Sequence, residues 1–151
     1  MPLELAFLLA AAVLVAVGVA GGLALAPGDD TSSSTRVASM TVPLTPLPGT
    51  ATPGERASVR MPVHAGGEAR LTAKGLRPSP SGHYYELWLM TDDKKLASIG
   101  TFRVGVDGKA YVRFAVGVDP SAYRYVDISV EPDDGRPGHS ATSVLRSAQL
   151  S

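Results

Sequence analysis

Cysteine is absent from this chain of 151 residues. That absence removes a disulfide framework, a thiolate nucleophile and any cysteine-ligated zinc site. It also leaves the redox compartment unreadable from thiols. An excess of either charge is missing as well, because 14 Lys and Arg balance 14 Asp and Glu. Both signs are mixed along the chain, so no electrostatic field favours a nucleic-acid partner. Aromatic side chains are sparse at 6% of residues, and Trp88 is the lone tryptophan. Trp88 is read as a core or sheet-face anchor rather than a ligand-stacking platform. The length suits one domain with some extra sequence.

What the chain does have is one long apolar run, Leu5 to Ala26, without a charge or a strong polar group. As a helix it would be about 33 Å long, enough for a hydrocarbon core of roughly 30 Å. A helix satisfies its own backbone hydrogen bonds in lipid. Glu4 and Asp29 bracket the run and Pro27-Gly28 stops it. The expectation is a retained transmembrane helix over 5–26. A cleaved signal peptide is the competing reading, because Ala24-Leu25-Ala26 resembles a small-x-small cleavage site. Against it, no Lys or Arg precedes the run, and its apolar core exceeds the usual length of about 7–15 residues. Gly18 and Gly22 have the spacing of a helix-packing motif, which Gly/Ala-rich helices also acquire by composition alone. Charge does not orient the helix.

Pro27 to Arg36 is polar and poor in apolar residues, so 27–36 reads as a flexible tether. Pro43, Pro46, Pro48 and Pro53 then block a helix. Beyond them the hydrophobic period is two, not 3.6. Met40, Val42 and Leu44 alternate with polar or proline neighbours, and so do Val59, Met61 and Val63. Ala69, Leu71 and Ala73, then Ala110, Val112 and Phe114, then Val126, Ile128 and Val130 repeat the pattern. Pro43 and Pro62 lack an amide donor, which assigns their strands to an edge or a bulge. Tyr84 to Met90 is apolar on both faces except at Glu86, as in a central strand covered on both sides or capped by a loop. With Leu96 to Val104 and Thr142 to Leu145 the count is about eight strands. Asp107-Gly108 is the pair favoured in hairpin turns. The predicted fold over 37–150 is all-β, a two-sheet antiparallel sandwich preceded by one transmembrane helix.

No chemistry-bearing motif emerges. His64, His83 and His139 match no metal spacing and read as surface residues. Serines, histidines and aspartates are all present, yet no Gly-x-Ser-x-Gly elbow organises them. Asp92-Asp93 and Asp133-Asp134 do not sit in a calcium-binding loop and read as solvated turns. Tyr84, Tyr85, Tyr111, Tyr123 and Tyr125 lack a concentrated basic field, so they do not make a stacking surface for nucleic acid. The expectation is a non-enzyme with no catalytic, metal-binding or cofactor-binding residue.

Several short signatures occur in a recognisable order. They are Tyr85-Glu86-Leu87-Trp88-Leu89, then Gly100-Thr101-Phe102, then Val126-Asp127-Ile128-Ser129-Val130-Glu131-Pro132. The Asp119-Pro120-Ser121-Ala122-Tyr123 turn and the closing Val144-Leu145 strand fit with them. Together, from Val37 to Leu150, they resemble the extracytoplasmic domain of the RskA-type anti-sigma-K factors of bacteria. The resemblance implies a single-pass plasma-membrane protein with its C-terminal domain extracytoplasmic, taking part in control of an extracytoplasmic-function sigma factor. The partners implied are the lipid bilayer, a separate anti-sigma domain or sigma-factor complex, and a regulatory membrane protease. Asp133-Asp134-Gly135 departs from the Gly/Ser-rich turn associated with the family.

A second departure is larger. Only Met1 to Glu4 precede the apolar run, so the cytoplasmic sigma-binding domain is expected to be missing. So short a segment cannot supply the roughly 800 Å² per partner that a specific interface needs. Three origins stay open: the anchored half of a split anti-sigma system, a gene start placed too late, or an orphan domain. The alternative function is a cell-envelope binding or structural module with no sigma partner.

Overall fold

The computed structural model of the protein describes residues 37–50, 52–92 and 95–150. Eight strands follow in order: β1 (Ser39–Pro46), β2 (Arg56–Pro62), β3 (Glu68–Lys74), β4 (His83–Met90), β5 (Leu96–Phe102), β6 (Ala110–Ala115), β7 (Tyr125–Pro132) and β8 (Ser143–Ser147). A short 3-10 turn, Pro120–Ala122, precedes β7. Asp119 caps it by accepting from the Ser121 amide at 3.0 Å.

All eight strands belong to one antiparallel sheet, in the order β5-β4-β7-β8-β1-β2-β3-β6. This corrects the two-sheet sandwich. The difference lies in a three-pair ladder, Leu44–Ser147, Thr45–Arg146 and Pro46–Leu145, which joins β1 to β8. Without it the strands would form two sheets of four. With it they form one sheet that curls until its end strands, β5 and β6, meet.

That meeting is made by packing. Gly100 of β5 lies so close to Phe114 of β6 that a Cβ on Gly100 would be 2.4 Å from Cδ1 of the ring. A nearly closed barrel results, and its interior is the core. Leu44, Val59, Met61, Leu71, Leu87, Leu89, Val126, Ile128 and Leu145 are fully buried there. The period-two pattern places these residues inside and their neighbours outside.

The prolines also find a different solution from the edge or bulge expected. β1 and β2 are interior strands. Pro43 lies one residue beyond the Leu44–Ser147 pair, where the β8 ladder has ended. Pro62 is the last residue of β2, beyond the final β2–β3 pair of Arg60 with Arg70. Each proline therefore sits where one neighbouring ladder has ended. The Asp107-Gly108 turn forms, with Gly108 at φ 66°. It joins the two end strands of the sheet, not a hydrogen-bonded hairpin.

The run 5–26 and the tether 27–36 lie outside the described residues. Among the described residues no helix is long and apolar enough to cross a membrane. The structure thus gives no support to the expected transmembrane helix, to a bilayer partner, or to single-pass placement with an extracytoplasmic C-terminal domain. Those expectations are withdrawn.

Candidate functional site

The sheet has a second buried face. On β4 the residues Glu86, Trp88 and Met90 point away from the barrel interior, yet all are buried. On β7 the same holds for Asp127, Ser129 and Glu131. The segment between β7 and β8 folds back over them and brings His139 and Ser140 onto the strands. Register sets the pairs: Trp88 lies opposite Asp127, Asp127 opposite Arg146, and Glu86 opposite Ser129.

The polar groups beneath this cap are mutually satisfied, as burial requires. The Trp88 indole N–H donates to Ser129 Oγ at 2.9 Å. Ser129 Oγ donates in turn to Glu131 Oε1. The other carboxylate oxygen, Glu131 Oε2, accepts from the Ser140 amide at 2.7 Å. Ser98 Oγ donates to Glu86 Oε1. Burial pushes the Glu86 carboxyl above the usual carboxylate range, and the Glu131 charge adds to this. The Ser98 hydrogen bond and the nearby His139 act in the opposite direction.

Asp127 is the hub and is 0% exposed. Its Oδ1 accepts from Arg146 Nε at 2.8 Å. Its Oδ2 accepts from Ser143 Oγ at 2.7 Å and lies 3.2 Å from His139 Nε2. Ser143 Oγ is also 3.4 Å from the same His139 nitrogen. The Trp88 and His139 rings meet edge to face, centroids 5.3 Å apart.

Serine, histidine and aspartate are thus in contact, but the connections are wrong for a hydrolase. A triad needs the aspartate on one ring nitrogen and the serine on the other. Here both approach Nε2, while Nδ1 accepts the Ala141 amide at 2.9 Å. A nitrogen that accepts an N–H carries no proton, so Nε2 holds it and donates to Asp127. Ser143 gives its own proton to Asp127, and Nε2 has no lone pair with which to take it. The arrangement clamps the cap to the sheet. It does not activate a nucleophile.

The other candidates are dispersed. His64 is exposed, 3.7 Å from Asp119 Oδ1. His83 Nδ1 is 3.0 Å from the Ser81 carbonyl oxygen. His139 departs from the expected surface position, since its side chain is only 9% exposed. Asp133 pairs with Arg103 at 2.8 Å and Asp134 with Arg136 at 4.0 Å, both at the surface. Among the described residues no group of three or more His, Cys, Asp or Glu side chains is placed to hold a metal. The buried network went unseen in the sequence because its members are ordinary polar residues brought together by register. Glu86 inside an apolar strand was its one visible trace.

Fold and site together define a strand-built barrel domain whose buried polar cluster is structural. The particular family follows from comparison. The family model described as anti-sigma-K factor rskA, C-terminal, matches residues 5–143. The chain belongs to that family. No curated protein and no solved structure matches it.

Proposed function

We propose that this chain is the regulatory part of an anti-sigma-factor system and governs how much of one extracytoplasmic-function sigma factor is free to transcribe. The family match over 5–143 carries the reading. The proton arrangement at His139 supports it, because a clamped, inert cluster suits a domain that acts by contact. In this reading the sigma factor is held by a sigma-binding domain, and a regulatory protease that severs the anti-sigma chain is the release step.

The test is transcriptional. Cells lacking the chain are compared with cells expressing it in full and with cells expressing it without residues 37–150. The expected result is a several-fold change in transcripts from the promoters of one alternative sigma factor, restored by the full chain alone. An unchanged transcript profile in all three strains overturns the proposal.

A further inference from the structure

The outer face opposite the capped network carries a different chemistry. Register places Arg60 opposite Arg70, and Arg70 opposite Arg113, so three arginines stand side by side across β2, β3 and β6. All three are exposed. A second basic row lies four residues along, where Arg56 pairs with Lys74. Lys109 is exposed just before β6, one residue beyond the Ala73–Ala110 pair. Between the rows run Ser58, Thr72 and Tyr111 in register. Tyr111 is 69% exposed, one of three large hydrophobic side chains so exposed among the described residues.

Folding alone does not account for this pattern. Like charges directly opposite each other on neighbouring strands are destabilising, and alternation of sign would relieve them. Glu68 is the acidic residue that reaches the row, at 2.7 Å from Arg70 Nε and 3.9 Å from Arg113 Nε. Arg60 Nε donates to a serine, Ser39 Oγ, at 3.1 Å. Neighbouring strands are about 4.8 Å apart, so the arginine row concentrates its charge within roughly 10 Å, and the second row follows about 13 Å away. In a chain of zero formal charge, that concentration is a property of the fold.

We propose that this face binds an anionic polysaccharide, with uronate or phosphate groups on the arginine row and a sugar ring against Tyr111. Guanidinium forks match carboxylate and phosphate oxygens. The floor between the rows is hydroxyl-bearing, from Ser58 and Thr72, with Thr41 beside Arg60 at the end of the arginine row, and these can exchange hydrogen bonds with sugar hydroxyls. A single exposed aromatic side chain suits one ring. Single-stranded nucleic acid stacks successive bases on several aromatics, and the row Ser58-Thr72-Tyr111 offers one. The inference stands apart from any sigma partner, because it concerns direct binding to the isolated full chain.

The test uses the full chain immobilised on a biosensor, with polygalacturonate, neutral dextran and poly-dT as probes. Expected are binding of polygalacturonate that weakens with salt, none of dextran, and weaker binding of poly-dT than of polygalacturonate. Arg60→Gln, Arg70→Gln and Arg113→Gln combined should lower polygalacturonate affinity at least tenfold and flatten its salt dependence. The same variant should unfold at an unchanged or higher denaturant concentration, since it relieves repulsion. If it fails to fold, Arg113→Gln alone on the end strand is read instead, with an affinity loss of several-fold. Tyr111→Ala should weaken binding several-fold with the salt dependence intact, and Tyr111→Phe should not. Affinity that survives loss of the arginines overturns the proposal. So does poly-dT binding as tight as polygalacturonate, or binding indifferent to Tyr111→Ala.

Discussion

Asp127 shows how far a single buried charge can be committed. It accepts from Arg146, Ser143 and His139 together, so removing it strands three partners at once. Taking away one member of a buried ion pair costs about 3–5 kcal/mol. The Arg146 side chain is 31% exposed, so solvent recovers part of that and the low end applies. Asp127→Ala should therefore lower unfolding stability by about 3 kcal/mol, read from urea midpoints at pH 7. Glu86 makes the opposite case. Burial raises its pKa in the folded state, so the native protein binds the proton more tightly than the unfolded chain does. The contribution of Glu86 to stability is then greatest below the ordinary glutamate pKa and falls as pH rises through the folded value. Glu86→Gln keeps an oxygen for Ser98 and carries no charge to desolvate. It should raise the melting temperature at pH 7 more than at pH 4. An equal shift at both pH values would mean that burial does not govern this carboxyl.

At the scale of the element, the seam between β5 and β6 rests on one glycine. A Cβ at Gly100 would overlap the Phe114 ring at 2.4 Å and 2.7 Å from two of its carbons, so either the ring or the strand must move. Overpacking of this kind costs about 1–3 kcal/mol. Gly100→Ala should be destabilising by that amount, and Phe114→Leu in the same chain should recover part of it, as a double-mutant cycle in denaturant would show. The strands themselves were legible in the sequence. Val59, Met61 and their counterparts state their period plainly, and every expected strand is present. The partners of those strands were not legible. Gly100 reads as an ordinary strand glycine until Phe114, fourteen positions away, is known to face it. Ser129, Ser143 and His139 likewise carry no local sign that one carboxylate will gather two of them and a neighbouring one the third.

For the whole molecule, the consequential feature is the ladder between the strands nearest the two ends of the described chain. β8 is hydrogen-bonded to β7 on one side and to β1 on the other, so it joins β5-β4-β7 to β1-β2-β3-β6. Alternation of apolar residues is identical in a sandwich and in a barrel, because both bury one side of each strand. The choice between them falls on Leu145, Arg146 and Ser147, a segment too short to announce its neighbours. The same register sorts the charges, setting arginines on β2, β3 and β6 and buried carboxylates on β4 and β7, although the chain is neutral. Ending the chain after Thr142 would remove the joining strand together with Ser143 and Arg146, two of the groups that hold Asp127. Both halves would expose an unpaired edge, and the core would open beside Leu44 and Ile128. The shortened chain should lose the single cooperative urea transition that Trp88 fluorescence and far-ultraviolet dichroism share in the full chain. Coincident, undiminished transitions after the truncation would show that the two halves hold together without β8, as a sandwich would.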